Sequence, residues 1–132
     1  MTPNPTPSNK LDGHSLAGTS EWRDRVENDY YATPPESTKK LLAVEKIIYP
    51  AWEPACGEGH ISKLLIELDT YSTDLIYRGY GEQGDFFKIK REVNTIITNP
   101  PFSLFQEFAE RGLKIAKRKL ILFGKLQVQE GL

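Results

Sequence analysis

The sequence predicts an α/β domain built on a parallel β-sheet with helices on its faces. Three observations lead to this prediction. Short apolar runs typical of buried strands alternate with stretches whose apolar residues recur at helical spacing. A glycine-rich turn over residues 53–59 follows the first of these runs. The β-branched run 95–98 is followed by two consecutive prolines, which cannot donate hydrogen bonds to a ladder and therefore end that strand.

The elements can be placed in order along the chain. We expect helices over about 21–31, 35–47, 60–68 and 103–117, and strands over about 47–52, 71–73, 95–98 and 120–123. Ser103 and Gln106 have the spacing of a capping box at the start of the last helix. The side chains expected to face inward from that helix are Phe105, Phe108, Ala109 and Leu113. The last strand is expected to be buried.

Composition places the chain among ordinary globular domains. It has 132 residues, 39% of them apolar and 27% charged, and its net charge of −1 provides no field that would attract nucleic acid. Residues 1–20 are polar and proline-rich, which predicts a disordered tail before a domain over 21–132. The single cysteine, Cys56, excludes an intrachain disulfide and favours the cytoplasm. The basic residues Lys114, Lys117, Arg118, Lys119 and Lys125 are interpreted as a solvated helix end.

The sequence Asn99-Pro100-Pro101-Phe102 places polar acceptors at the end of a strand. The carbonyls of Asn99 and Pro100 have no ladder partner there, and open α/β sheets bind ligands at the carboxyl ends of their strands. With the flat ring of Phe102, these groups suit a planar base that carries an exocyclic amino group. A strand that simply ends in a proline-rich turn is the alternative interpretation.

The turn over residues 53–59 has the composition of a ligand-binding loop. Gly57 and Gly59 permit close approach of the backbone to a ligand. Glu53 would repel a phosphate and would hold an ammonium group, and Ser62 occupies the third glycine position of the dinucleotide fingerprint. This combination favours a nucleotide that carries an amino acid over a dinucleotide.

Two further acids follow at predicted strand ends or loops. Asp74 lies about 20 residues past the glycine turn, where an acid can accept hydrogen bonds from both ribose hydroxyls. Leu75 is placed to flank an adenine ring, and Asp85, with Phe86 beside it, is placed to accept from the adenine amino group. Each acid alone is more typical of a solvated turn. Together and in this order they favour a nucleoside site.

Five segments, taken in order, carry a family resemblance. They are Tyr31-Ala32-Thr33-Pro34, Glu53-Pro54-Ala55-Cys56-Gly57-Glu58-Gly59, Ser72-Thr73-Asp74-Leu75, Gly84-Asp85-Phe86-Phe87 and Asn99-Pro100-Pro101-Phe102. Over residues 29–131 the chain resembles the S-adenosylmethionine (SAM)-dependent DNA adenine-N6 methyltransferases, and most closely their small bacterial and bacteriophage members. The resemblance implies a Rossmann-like sheet, SAM as cofactor without a metal, DNA as partner, and the cytoplasm of a bacterial or phage-infected cell, where such enzymes can serve restriction-modification.

The resemblance also implies a role for each matched residue. Tyr31 and Thr33 would contact the methionine end of SAM. The turn residues Glu53, Pro54, Ala55 and Gly57 would line its amino-acid and sulfonium portion. Asp74 would hold the ribose, Leu75 and Phe86 would enclose the adenine, and Asp85 would meet the adenine amino group. The catalytic set for the substrate base would be Asn99, Pro100, Pro101 and Phe102.

Members of this family continue with further strands, so we expect the domain to lack its C-terminal strands, with residues 125–131 as their opening. The exposed sheet edge would then be covered by oligomerisation or by a partner. Two alternatives remain open at this point. One is a catalytically weak fragment that binds SAM, and the other is a methyltransferase that acts on RNA adenine or on protein glutamine, whose planar nitrogen needs the same acceptors.

Overall fold

The structure is a computed structural model that describes residues 20–124. The predicted tail before residue 20 and the segment 125–131 lie outside this range. The helices are α1 (Ser20–Asn28), α2 (Pro35–Val44) and α3 (Phe105–Ile115). The strands are β1 (Ala51–Glu53), β2 (Thr70–Asp74), β3 (Glu82–Gln83), β4 (Val93–Thr98) and β5 (Ala116–Leu122). No helix in this range is long and apolar enough to cross a membrane.

The five strands form one sheet in the order β3-β2-β1-β4-β5, and every pair is parallel. This confirms the predicted α/β class. Strand β1 lies between β2 and β4, so the chain leaves it toward one edge and later returns on its other side. The crevice at such a reversal, outside the carboxyl ends of the strands, is the usual ligand site of open α/β sheets.

Each face of the sheet carries its own apolar cluster, because successive side chains of a strand point to opposite faces. Trp52 and Ile96 belong to one cluster, which includes the aromatic residues Phe86, Phe87 and Phe108. Ala51 and Ile97 belong to the other, which includes Ile47, Ile61 and Leu65. Both clusters flank β1 and β4 and hold the ends of these strands in place.

The prediction of a helix over 60–68 is wrong. The segment forms two short 3₁₀ helices, Ser62–Leu64 and Glu67–Asp69, and Leu68 is 99% exposed. The backbone N–H of Ser62 donates to Glu53 Oε1 at 3.1 Å, and that of Ile66 donates to the Tyr49 hydroxyl at 3.0 Å. Side chains therefore take backbone donors that an α-helix needs for its own ladder.

The boundary between α2 and β1 also differs from the prediction. Helix α2 ends at Val44 rather than near residue 47, because Thr95 holds Ile48 in extended backbone. The Ile48 N–H donates to Thr95 Oγ1 at 3.2 Å. The Thr95 hydroxyl donates in turn to the Ile48 carbonyl at 2.8 Å. Strand β1 covers Ala51–Glu53 instead of 47–52. Pro50 has no N–H for the ladder, which explains the late start.

Strands β2 and β4 are slightly longer than expected. Strand β3 was not predicted, because a strand of two residues is too short to show an alternation of apolar and polar side chains. The last strand is Ala116–Leu122 rather than 120–123. It is only partly buried, because it forms one edge of the sheet over the described part of the chain.

The start and the inward face of the last helix were also predicted incorrectly. A 3₁₀ turn, Phe102–Leu104, precedes α3, and the Ser103 N–H donates to Asp29 Oδ2 at 2.9 Å instead of joining a capping box. Phe108 and Gly112 form the buried face of α3, whereas Phe105 is 38% exposed and Leu113 is 72% exposed. A side chain at position 112 would meet Leu120, so the helix packs on β5 through its glycine.

Two buried threonines give opposite predictions for stability. Thr38 Oγ1 has no hydrogen-bond partner among the described residues, so we expect Thr38→Val to stabilise the fold by about 1 kcal/mol and to raise Tm by about 4 °C. Thr73 Oγ1 accepts from Trp52 Nε1 at 3.0 Å, so Thr73→Val should instead destabilise by about 1–3 kcal/mol. Thermal unfolding of both variants tests the pair, and a shift of the same sign in both would contradict it.

Candidate active site

The sheet order brings three predicted site residues to neighbouring strand ends. Glu53 is the last residue of β1, Asp74 is the last residue of β2, and Asn99 follows β4 directly. Adjacent strands lie about 4.8 Å apart, so these side chains share one edge of the sheet. The amide of Ala55 donates to Thr98 Oγ1 at 3.1 Å and fixes the turn after β1 against the end of β4.

A cavity of about 490 Å³ opens at this edge, and we call it the Asn99 cavity. Its walls combine the end of β4, the segment after α1 and the aromatic residues near α3 and β5. Its lining residues include Tyr31, Thr33, Asn99, Pro100, Phe102 and Phe105. Phe102 is 55% exposed, so its ring presents a flat apolar surface at the opening. A cavity of this size is in the range of small-molecule sites.

The Asn99 side chain is held in one orientation. Its Nδ2 donates to the Tyr31 carbonyl at 3.2 Å and to Thr33 Oγ1 at 3.0 Å. Its Oδ1 accepts no hydrogen bond from residues 20–124 and is not among the buried unpaired atoms. The Pro100 carbonyl likewise accepts no hydrogen bond within this range. Both oxygen acceptors at the end of β4 are therefore without a hydrogen-bond donor among the described residues.

Glu53 lies in a small adjoining niche with Tyr31, Thr33, Ala55 and Asn99, which we call the Glu53 niche. Glu53 is only 2% exposed, and its Oε1 accepts from both the N–H and the hydroxyl of Ser62. Oε2 has no partner among the described residues, and none of their basic side chains forms an ion pair with it. Burial raises the pKa of the Glu53 carboxyl well above its usual value, although the hydrogen bonds from Ser62 lower that pKa. A carboxylate in this position suits a cationic ligand group.

Asp74 ties the glycine turn to β2. Its Oδ2 accepts from the Gly57 N–H at 2.9 Å and its Oδ1 from the Ile76 N–H at 3.1 Å. Burial raises the pKa of the Asp74 carboxyl, and these hydrogen bonds oppose that shift. Gly57 has φ of 55°, in the left-handed region that favours glycine. Both carboxylate oxygens are thus engaged with backbone, and a ribose would have to share them.

The residues predicted to enclose adenine line a third, narrow space that we call the Leu75 crevice. Pro54, Asp74, Leu75, Asp85, Phe86 and Pro101 are among its walls, and its volume is about 20 Å³. That volume holds about one water molecule. Phe86 is buried and stacks on Phe108 with centroids 4.9 Å apart. Asp85 Oδ1 accepts from the Phe87 N–H at 2.9 Å. The structure brings these residues together but leaves no room for a base between them.

Sequence reasoning missed Val26 of α1, which also lines the Leu75 crevice and packs in the same core cluster as Phe86. It missed Tyr30 as well, whose ring lies where a side chain at Gly57 would point. The Tyr30 hydroxyl donates to Glu58 Oε1 at 2.8 Å, and burial raises the pKa of Tyr30 to about 12. The apolar side chains of Val26 and Tyr30 among the charged residues of 21–31 were the available signal.

Cys56 agrees with the structural role predicted for it. The side chain is buried, and burial, with smaller contributions from the Glu53 and Asp74 carboxylates, raises the pKa of its thiol to about 12. A thiol with a raised pKa is a poor nucleophile at neutral pH. Within residues 20–124, no group of three His, Cys, Asp or Glu side chains could hold a metal ion.

The basic residues near the start of β5 lie away from this site. Lys117 pairs with Glu92 at 3.2 Å and Lys119 with Glu45 at 2.5 Å. They belong to the amino end of β5, whereas the cavities lie at the carboxyl ends of the parallel strands. The predicted helix end is wrong for Lys117, Arg118 and Lys119, which lie in β5, whereas Lys114 lies in the last turn of α3. Lys125 lies outside the described range.

The sheet defines the fold of the protein. A five-stranded parallel sheet in this order, with helices on its faces, is a Rossmann-like sheet. A scan against protein-family models and a search of curated proteins give no match. Among solved structures, the chain is similar to magnesium protoporphyrin IX methyltransferase from Synechocystis PCC 6803 with bound SAM. The TM-score is 0.54 at 16% sequence identity, over 98% of this chain and 83% of that chain, and at this identity the likeness concerns the fold alone.

Proposed function

We propose that the protein is a SAM-dependent methyltransferase that transfers a methyl group to the N6 amino group of adenine in DNA. The observation that carries the proposal is the pair of available acceptors, Asn99 Oδ1 and the Pro100 carbonyl, beside a cavity of about 490 Å³ and next to the Glu53 niche. The neighbouring structure with bound SAM supports the choice of cofactor for this fold.

The cofactor groups are matched by residues of this chain. Glu53, buried and without a cationic partner among the described residues, would bind the ammonium group of SAM. Asp74 would accept from the ribose hydroxyls at the next strand end. SAM would supply an electrophilic methyl group on its sulfonium, and the residues described here would position the two reactants.

The acceptors explain how an unreactive nitrogen becomes a nucleophile. The lone pair of an adenine amino group is delocalised into the ring. If Asn99 Oδ1 and the Pro100 carbonyl each accept one of its hydrogens, the nitrogen is held in a pyramidal geometry with its lone pair localised. The same two oxygens stabilise the positive charge that develops on nitrogen in the transition state. The exposed ring of Phe102 would stack on a base that has left the duplex.

The size of the Asn99 cavity favours a base over a side-chain amide. A glutamine side chain is slender and needs a narrow channel, whereas this cavity is in the size range of sites for small planar ligands and opens beside an aromatic ring. DNA and RNA adenine present the same amino group to this site. The proposal of DNA, in a bacterial or phage-infected cytoplasm, rests on the resemblance of the five sequence segments.

Two measurements, made one after the other, test the proposal. Calorimetry with SAM should show binding, and the absence of heat at millimolar SAM would refute the cofactor assignment. Incubation with a tritiated methyl donor should label adenine-rich DNA in preference to RNA or a mixture of proteins. SAM binding with no label in any of the three would favour the alternative, a SAM-binding fragment without turnover.

A further inference from the structure

We infer that Thr33 is a positioning residue that orients Asn99 for methyl transfer. This inference rests on the proposed function and assigns Thr33 a role different from contact with the methionine end of SAM. It begins from the hydrogen bond between Asn99 Nδ2 and Thr33 Oγ1, 3.0 Å long, which joins residues 66 positions apart in the chain.

The two partners of Asn99 Nδ2 determine which way its amide faces. The Tyr31 carbonyl, at 3.2 Å, is able only to accept a hydrogen bond. A flipped amide would place Oδ1 against this carbonyl oxygen, and two acceptors would then repel each other. Thr33 Oγ1 accepts the second N–H, so both amide hydrogens are used by the segment after α1. Oδ1 is thereby directed away from the segment after α1, toward the Asn99 cavity.

Burial strengthens this arrangement. Thr33 is only 7% exposed, and it lines both the Asn99 cavity and the Glu53 niche together with Asn99. Water therefore competes less for the amide hydrogen that Thr33 accepts than for the one donated to the exposed Tyr31. Without the Thr33 acceptor, one N–H of Asn99 loses its partner and the amide can rotate, so that Oδ1 is correctly placed for a smaller fraction of the time.

The test compares Thr33→Val, which keeps the shape but loses the acceptor, with Thr33→Ser, which keeps the acceptor. We expect Thr33→Val to lower kcat about five- to tenfold, the equivalent of one hydrogen bond, with the Kd for SAM changed less than about twofold. Thr33→Ser should recover most of the lost turnover. Thr38→Val makes the same chemical change at a threonine that lines none of the cavities described here, and it should leave kcat unchanged.

A spectroscopic measurement makes the test independent of turnover. The two side-chain amide proton signals of Asn99, identified by their loss in Asn99→Ala, should shift in Thr33→Val and stay in place in Thr33→Ser. Unmoved signals in Thr33→Val, or a raised Kd for SAM with kcat unchanged at saturating SAM, would overturn the inference. If the wild-type protein methylates no substrate, the proposed function fails, and the Asn99 signals then decide only whether Thr33 orients the Asn99 amide.

Discussion

Asn99→Ala is expected to lower methyl transfer to adenine by about a hundred- to a thousandfold, the range found when one preorganised transition-state partner is removed. Asn99 Oδ1 is the side-chain acceptor at the end of β4, and alanine offers nothing in its place. The Kd for SAM should stay close to the wild-type value, because the Asn99 amide is assigned to the substrate nitrogen. Single-turnover kinetics with saturating SAM measures the loss directly.

The matched control is Asn94→Ala, at the other end of β4 from Asn99. Asn94 Nδ2 donates to the Tyr49 carbonyl at 2.8 Å, so this variant also removes a side-chain amide that bonds to backbone. Asn94 lies near the amino end of β4, opposite the site, and turnover should persist. Equal losses of SAM binding and turnover in Asn99→Ala would contradict the assigned role and would indicate a general disruption of the 31–33 segment.

Glu53→Gln is expected to stabilise the free protein and to weaken SAM binding. Burial raises the folded-state pKa of Glu53 above the unfolded value of about 4.3, so the folded state binds the extra proton. The free energy of unfolding therefore falls as the pH rises from about 4 toward the folded pKa. Glutamine cannot ionise, so the variant should gain Tm at neutral and alkaline pH and gain little near pH 4. Thermal unfolding as a function of pH measures this difference.

The same substitution removes the negative charge assigned to the ammonium group of SAM. Loss of a charge-assisted hydrogen bond should raise the Kd for SAM about ten- to a hundredfold. Because the ionised carboxylate is the binding form, SAM affinity of the wild type should increase as the pH rises through the raised pKa of Glu53, whereas SAM affinity of Glu53→Gln should not change with the ionisation of residue 53. Calorimetry at several pH values gives both results.

Glu58→Gln serves as the control for Glu53. It makes the same chemical change in the same turn, but the Glu58 side chain is 55% exposed and bonds to Tyr30 and His60. We expect little change in SAM affinity for this variant. A Glu53→Gln protein that binds SAM as tightly as the wild type would remove Glu53 from the cofactor site.

The sequence was sufficient to predict the parallel sheet and the placement of Glu53, Asp74 and Asn99 along one edge. Each of these residues directly follows a predicted strand, and in a parallel sheet the carboxyl ends of the strands lie together. The local signal of the double proline gave the end of β4 to the residue. The strand ends can be predicted from short stretches of chain, and their common edge follows from the parallel arrangement of the strands.

What could not be predicted depends on contacts between distant residues. The helix expected over 60–68 is replaced by 3₁₀ turns because Ser62 bonds to Glu53 and Ile66 bonds to Tyr49. Likewise, Gly112 rather than Leu113 faces β5, since the close packing against Leu120 selects a residue without a side chain. Helical spacing is equally compatible with either arrangement until the neighbouring strand is known.

The position of Val26 has a consequence for how quickly a nucleoside could be taken up. Its side chain shares the walls of the Leu75 crevice, where about 20 Å³ is free, so the crevice has to widen before an adenine ring can lie between Leu75 and Phe86, and an outward shift of α1 would widen it. Uptake would then proceed in two steps, with the opening of α1 before the docking of the ligand. The observed association rate would rise with SAM at low concentration and level off at the opening rate of this helix.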